Sequence, residues 1–148
     1  MLKKIGIATI LLLFSATLAL AAVSEEQVNI AKTGGYTVEP ANGTGGGPGI
    51  DTVYATITQG QTNWHTKEVT TFITTLNVDL NWGTPSNSLR LTIYSPDGYV
   101  FGPYFDNADG VINGRINLNI NNPNGIARGT WYYEVYGYSV SGTEDYYI

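Results

Sequence analysis

The sequence predicts an all-β protein: an antiparallel β-sandwich of two sheets. Three observations lead to this fold class. Apolar and polar residues alternate with a period of two almost everywhere from about residue 52 onward. The alternating runs are short and are separated by Gly, Pro and Asn turns. No run with helical period and helix caps follows the first twenty or so residues. Strands with one apolar face each bury those faces when two sheets pack together.

Residues 1–21 have the pattern of a secretory signal peptide. Lys3 and Lys4 precede an uncharged apolar run, and Ala19-Leu20-Ala21 supplies the small-x-small pattern of a cleavage site. We predict cleavage after Ala21, with Ala22 as a near alternative. An uncleaved membrane anchor is the other interpretation, although the apolar run is short for a span. The expected location is therefore extracellular, either secreted or at the cell surface, with no membrane span after cleavage.

Residues 22–50 are predicted to form a flexible segment rich in Gly and Pro. Such a composition offers little apolar surface to offset the entropy lost on ordering. Asn42-Gly43-Thr44 is the only N-x-[ST] sequon in the chain, which makes Asn42 a candidate glycosylation site. The sandwich domain is then expected to occupy residues 51–148.

Within residues 51–148 the alternation predicts seven strands and a shared core. In chain order the strands are TVYATIT, NWHTKEV, TLNVDLNW, LRLTIY, RINLNI, TWYYEVYGY and EDYYI. Burying one large apolar side chain contributes about 1.5–3 kcal/mol, so the apolar faces should form the core. The predicted core residues are Leu76, Val78, Leu80, Trp82, Leu89, Leu91, Ile93, Ile116, Leu118, Ile120, Trp131, Tyr133 and Val135.

The stretch LRLTIYSPDGYV, residues 89–100, reads as a strand, a turn and the start of another strand. Pro96 presets φ for the first central position of a β-turn, and Gly98 accepts φ > 0. Asp97 is therefore a turn residue first, and metal ligation by its carboxylate is the alternative hypothesis.

Composition and charge exclude several classes of partner and of chemistry. The chain has 7 Lys and Arg against 12 Asp and Glu, a net charge of −5, and loss of Lys3 and Lys4 would make it more negative. This balance argues against nucleic acid and anionic membranes as partners. The absence of cysteine excludes disulfides and a lipoprotein anchor.

The sequence does not predict an enzyme. His65 is the only histidine, and no Gly-x-Ser-x-Gly motif accompanies it. We interpret His65 as a half-exposed strand residue. Glu68 and Glu134 are the strand glutamates available for acid–base hydrolysis of sugars, but no pattern brings them together.

Two groups of residues are candidate binding sites. The loop DNADG, with Asp106 and Asp109, combines carboxylates, an amide and a glycine, and Asp97 or Asp79 could join it across a sheet edge as a calcium ligand. A polar turn is the alternative interpretation of this loop.

The second candidate site is a row of tyrosines. Tyr132, Tyr136 and Tyr138 share one face of a strand, with Tyr94 nearby. Such a row either stacks on a sugar or protein ligand or makes ordinary cross-strand pairs.

Four stretches in order resemble the bacterial and archaeal pre-peptidase C-terminal (PPC) domain, which is similar to the P domain of proprotein convertases. They are ITQGQTNWHTKEV, TLNVDLNW, LRLTIYSPDG and GTWYYEVYGYSVSGTEDYYI. The resemblance implies a small jelly-roll sandwich without catalytic activity, often attached to secreted peptidases. Members often carry an acidic Asp-Leu-Asp motif before the Ser-Pro-Asp-Gly turn. Here Ser88-Leu89-Arg90 stands in that neighbourhood, so the acidic pair is missing.

The expected function is that of a secreted, non-catalytic β-sandwich module. Its partner would be an extracellular polysaccharide or protein bound on a tyrosine-rich face. The alternative is a structural subunit of an extracellular envelope or filament that associates with copies of itself. An accessory domain of a secreted peptidase is a third hypothesis.

Overall fold

The computed structural model describes residues 34–41 and 51–148, which form two packed antiparallel sheets. The five-stranded sheet comprises β1 (Thr37–Pro40), β7 (Arg115–Asn121), β4 (Thr75–Asn81), β9 (Thr143–Tyr147) and β2 (Tyr54–Thr58), in that order. The four-stranded sheet comprises β3 (Thr62–Val69), β8 (Gly129–Ser139), β5 (Ser88–Tyr94) and β6 (Val100–Tyr104). From β2 to β5 and from β6 to β9, consecutive strands lie in opposite sheets, which is a jelly-roll-like arrangement. The two packed antiparallel sheets that the alternation predicted are confirmed.

The core lies between the two sheets and confirms the predicted apolar faces. All thirteen side chains predicted for the core are buried, and Leu80, Leu91 and Trp131 are fully enclosed. Their polar neighbours in sequence point outward because successive residues of a strand face opposite sides of the sheet. The outer faces therefore carry the polar and aromatic residues that remain available for contact.

Residues 34–41 correct the prediction of a flexible segment over 22–50. Tyr36 is 1% exposed and Val38 is buried beside it, and β1 pairs with β7 from Thr37↔Asn121 to Pro40↔Leu118. The composition of this stretch concealed two inward-facing apolar side chains whose partners are far away in sequence. The rest of that segment, including the sequon at Asn42, and the predicted signal peptide lie outside the described residues.

The Ser95-Pro96-Asp97-Gly98 turn is confirmed as a β-turn. The Gly98 amide donates to the Ser95 carbonyl at 3.1 Å, and the chain then reverses into β6. The Asp97 carboxylate accepts a 2.9 Å hydrogen bond from the Tyr36 hydroxyl. The turn therefore also holds Tyr36, the residue that precedes β1.

After β6, the residues Asp106–Asp109 form a single 3₁₀ turn, η1, where the sequence predicted a polar loop. In the two ranges that the structure describes, we find no helix with the length and apolar character needed to span a membrane.

Replacing Tyr36 by alanine tests whether β1 is an integral strand. The substitution removes a buried aromatic ring, so we expect it to lower the free energy of unfolding by about 3–5 kcal/mol. Urea denaturation followed by circular dichroism measures this loss. Tyr54 is the matched control, because its ring is 69% exposed and Tyr54→Ala should cost less than about 1 kcal/mol. Equal stability of Tyr36→Ala and the wild type would contradict the docking of β1.

Candidate binding face

The outer face of the four-stranded sheet gathers four aromatic side chains from three adjacent strands. Tyr132 lies opposite Tyr94 on β5, and Trp64 of β3 lies opposite Glu134, two residues along β8. Tyr136 follows on β8, opposite Arg90. We call Trp64, Tyr94, Tyr132 and Tyr136, with the Arg90–Glu134 pair between them, the aromatic face; this grouping joins three of the four tyrosines predicted as a binding row.

An ion pair at the centre of the aromatic face organises the rings. Arg90 Nη2 donates to Glu134 Oε1 at 2.9 Å, and the Tyr94 hydroxyl donates to Glu134 Oε2 at 3.2 Å. The Arg90 guanidinium also lies 4.5 Å from the centre of the Tyr136 ring, within the range of a cation–π contact. Two of the four rings are therefore held by one charged pair, which reduces the freedom they would otherwise lose on binding.

Trp64 completes the aromatic face, although it is not among the binding residues predicted from the sequence. Its ring centroid is 5.5 Å from that of Tyr94 at an interplanar angle of 42°, and its side chain is 55% exposed. The signal that could have identified Trp64 is its outward position in the alternation of NWHTKEV. The pairing of β3 with β8, which places it beside the tyrosines, cannot be read from that alternation.

Tyr94 is the partly buried ring beside the exposed Trp64. Burial raises the pKa of Tyr94, and the nearby negative charge of Glu134 raises it further. Tyr132, by contrast, is 48% exposed. The face thus combines accessible ring surface with hydrogen-bonding groups, which suits a ligand that has both apolar faces and hydroxyls.

Tyr138, the fourth tyrosine predicted for the row, is exposed on β8 like Tyr132, but its ring contacts a different neighbour. The pairing of β5 with β8 shifts register between Ser88 and Leu89, so that Ser88 lies opposite Ser139 and Leu89 opposite Gly137. The Tyr138 ring instead packs edge-on against Phe105 at 4.9 Å between centroids. It lines a separate groove of about 290 Å³ at the end of the sandwich.

The three carboxylates predicted as calcium ligands have structural partners in this fold. Asp106 accepts hydrogen bonds at 3.0–3.1 Å from the backbone amides of Asn113, Gly114 and Arg115. Asp109 accepts from the amides of two further residues, and Asp97 accepts from Tyr36. Across residues 34–41 and 51–148, no three Asp, Glu or His side chains come together in a group able to hold a metal. Calcium binding at these residues stays a prediction, and the contacts assign them first to holding turns and loops.

The titratable groups considered for catalysis lie in different places. His65 Nε2 is 2.7 Å from the Tyr146 hydroxyl, between the sheets. Glu68 and Glu134 are both on outer-face positions of the β3–β8 pair, with Glu68 opposite Thr130, four residues from Glu134. Four residues along a strand span ~14 Å, beyond the ~5–9.5 Å that separates the two carboxylates of most glycosidases.

The outer face of the five-stranded sheet has a different character. Asn77 donates to the side-chain carbonyls of Asn117 and Asn119 at 2.9 and 3.0 Å, and Arg115 makes two bonds to Asp79 at 2.6 and 2.7 Å. These amides and charges bind one another across β4 and β7. The hydrogen-bonding groups of these residues already have partners within the sheet. This part of the face therefore presents fewer groups for contact with a ligand than the exposed rings of the aromatic face do.

Comparison with known proteins gives a relative without an assigned activity. No family model matches the chain, and no solved structure matches it. It is similar to an "Uncharacterized protein" of Archaeoglobus fulgidus, with 54% identity over 50 residues that cover 34% of this chain and 70% of the relative. The chain therefore belongs to the same family as that archaeal protein. The PPC-domain resemblance stays a prediction.

The burial of His65 predicts a pH dependence of stability. Burial lowers the pKa of His65 from its ordinary value of 6.5, so below that pH the unfolded chain binds the proton more readily than the folded chain does. Stability should therefore fall as pH drops from 7.5 to 5.5 (~1 pH unit either side of 6.5). We expect His65→Gln to lose less stability over this interval, measured by urea denaturation at both pH values. Parallel pH dependence in the two proteins would contradict this assignment.

Proposed function

We propose that the chain is a secreted, non-catalytic module that binds an extracellular polysaccharide on its aromatic face. The observation that carries this proposal is the cluster of Trp64, Tyr94, Tyr132 and Tyr136 around the Arg90–Glu134 pair. Sugar rings have apolar faces that stack on aromatic side chains and hydroxyls that bond to charged groups. Aromatic and arginine side chains are also the residues that contribute most to binding energy at protein interfaces.

The charges of the chain favour a neutral polymer over an acidic one. The net charge is −5, and Arg90 on the aromatic face is neutralised by Glu134 at 2.9 Å. A polyanion would therefore meet an overall negative protein with no free cation on the aromatic face. Neutral sugar hydroxyls can instead accept from the guanidinium and donate to the carboxylate.

The shape of the aromatic face suits a polymer better than a small molecule. Its side chains come from three neighbouring strands, which lie ~4.8 Å apart, so the rings extend across an open sheet surface. Small ligands usually bind in concave sites that enclose most of their surface. An extended chain needs no enclosure, because several sugar units contact the face together.

Retention on insoluble polysaccharides tests this proposal. We expect the full chain to be retained on at least one of a set of neutral polymers, such as cellulose, chitin, xylan and β-glucan. Trp64→Ala should weaken that retention at least about tenfold, since loss of an interface aromatic costs about 1.4 kcal/mol or more. A depletion isotherm at several protein concentrations gives the binding constant.

Tyr54→Ala is the matched control for this experiment. Tyr54 is also an exposed aromatic, but it lies on β2 in the other sheet. It should therefore leave retention unchanged. Absence of retention on every polymer, or equal weakening by Tyr54→Ala and Trp64→Ala, would contradict the proposed function.

Self-association is the second candidate function, and the same face supports it. Exposed Trp64 and Tyr132 beside a partly exposed ion pair would also suit a protein surface. Light scattering over a range of protein concentrations, without any glycan, separates the two. Assembly that Trp64→Ala abolishes would favour a structural subunit over a polysaccharide-binding module.

A further inference from the structure

Among the described residues, the short strand β1 is held by contacts with residues that follow it at a distance in the chain. Its backbone pairs with β7 from Thr37↔Asn121 to Pro40↔Leu118, and the Ala41 amide donates to the Asn117 carbonyl at 2.9 Å. The Glu39 carboxylate accepts from the Asn121 side chain at 2.7 Å. None of these contacts depends on how β1 is joined to the rest of the domain.

Tyr36 provides the main anchor of this segment. Its ring lies edge-on to those of Tyr99, Phe101 and Trp131, with centroids 5.6, 5.4 and 5.9 Å away. Its hydroxyl donates to Asp97 and accepts from the Ala127 amide at 3.1 Å. This enclosure, which we call the Tyr36 socket, is specific for a tyrosine in both shape and hydrogen bonding.

The position of β1 in the sheet sets a long connection to β2. The two strands are at opposite edges of the five-stranded order, four inter-strand spacings or ~19 Å apart. Ala41 and Asp51 are joined through residues 42–50, whose sequence is NGTGGGPGI. Ten peptide links reach at most ~36 Å, which exceeds the ~19 Å between the two edges. The same connection therefore reaches the edge of its own sheet or that of a neighbouring molecule.

We propose that residues 34–41 also dock against β7 and into the Tyr36 socket of a second copy of this chain. Each copy then has one donor strand and one acceptor edge, which makes the contact heterologous. Reciprocal exchange closes a dimer, and sequential exchange builds an open chain of copies. Strand addition at a sheet edge is an established mode of protein association, with backbone hydrogen bonds for affinity and side-chain sockets for specificity.

The covalent connection between β1 and β2 also makes exchange between copies depend on protein concentration. Docking within one molecule does not depend on protein concentration, whereas exchange between copies does. The wild-type chain should therefore be monomeric in dilute solution. Exchange becomes competitive as the local concentration of copies rises.

Deleting residues 42–50 tests the proposal directly. Ala41 is then joined to Asp51, and even if the chain up to Tyr54 detaches, four links reach only ~14 Å, short of the ~19 Å crossing. The strand can no longer dock in its own molecule, so we expect dimers or longer assemblies in multi-angle light scattering. Adding Tyr36→Ala to the deletion should restore the monomer. A control in which residues 42–50 are replaced by nine Gly and Ser residues should stay monomeric.

Cysteine cross-linking gives a second readout that does not require removal of Tyr36. The chain contains no cysteine, and Glu39 and Asn119 are directly paired across β1 and β7. We expect Glu39→Cys and Asn119→Cys, introduced together, to form a disulfide within one molecule in the full-length chain. In the deletion variant the same pair should join separate molecules, seen as a ladder on a non-reducing gel. A monomeric deletion variant, or assembly that survives Tyr36→Ala without this cross-link, would overturn the proposal.

Discussion

Burial of alternating apolar side chains between the two sheets is the constraint on which the rest of the molecule depends. Leu80 and Ile116 from one sheet and Leu91 and Val135 from the other are completely enclosed. A strand that buries every second side chain must expose the intervening ones. Function is therefore confined to the outer faces, the strand edges and the loops, and each proposal made above uses one of those surfaces.

The two outer faces differ because their exposed residues differ in chemistry. On β4 and β7 the outward positions carry Asn, Asp and Arg, which bind one another across the strands. On β3, β8 and β5 they carry aromatic rings around a single ion pair. The Trp64 ring contacts Tyr94 but stays 55% exposed, and Tyr132 is 48% exposed. This accessible ring surface makes the four-stranded sheet the better candidate for binding.

The sequence was sufficient for the parts of the fold that depend on local alternation. The seven predicted strands and all predicted core residues are confirmed, and so is the β-turn at Pro96. Features that depend on pairing between distant strands could not be predicted. Tyr36 lies in a Gly-rich stretch, and its socket comes from residues 61 or more positions away, such as Asp97.

The same limit applies to the candidate site. Tyr94, Tyr132 and Tyr136 were identified from alternation alone, but Trp64 joins them only through the register of β3 against β8. Tyr138 keeps the outward position that alternation predicted, but its ring contacts Phe105, which a simple period of two does not reveal. Asp106 is predicted from sequence as a metal ligand or turn residue; its three backbone partners lie just before β7 and at the first residue of that strand, which the sequence pattern does not place beside it.

The indole resonances of the three tryptophans give the most direct test of the central claim, that the aromatic face binds sugar polymers. The Trp82 indole N–H donates to the carbonyls of Thr84 and Asn87, and the Trp131 indole N–H donates to that of Ala127, whereas the Trp64 ring is half-exposed on the aromatic face. Titration of the ¹⁵N-labelled chain with soluble neutral oligosaccharides should shift the Trp64 indole signal and leave the other two in place. A Trp64 signal that stays unchanged across the whole set of sugars would contradict the account.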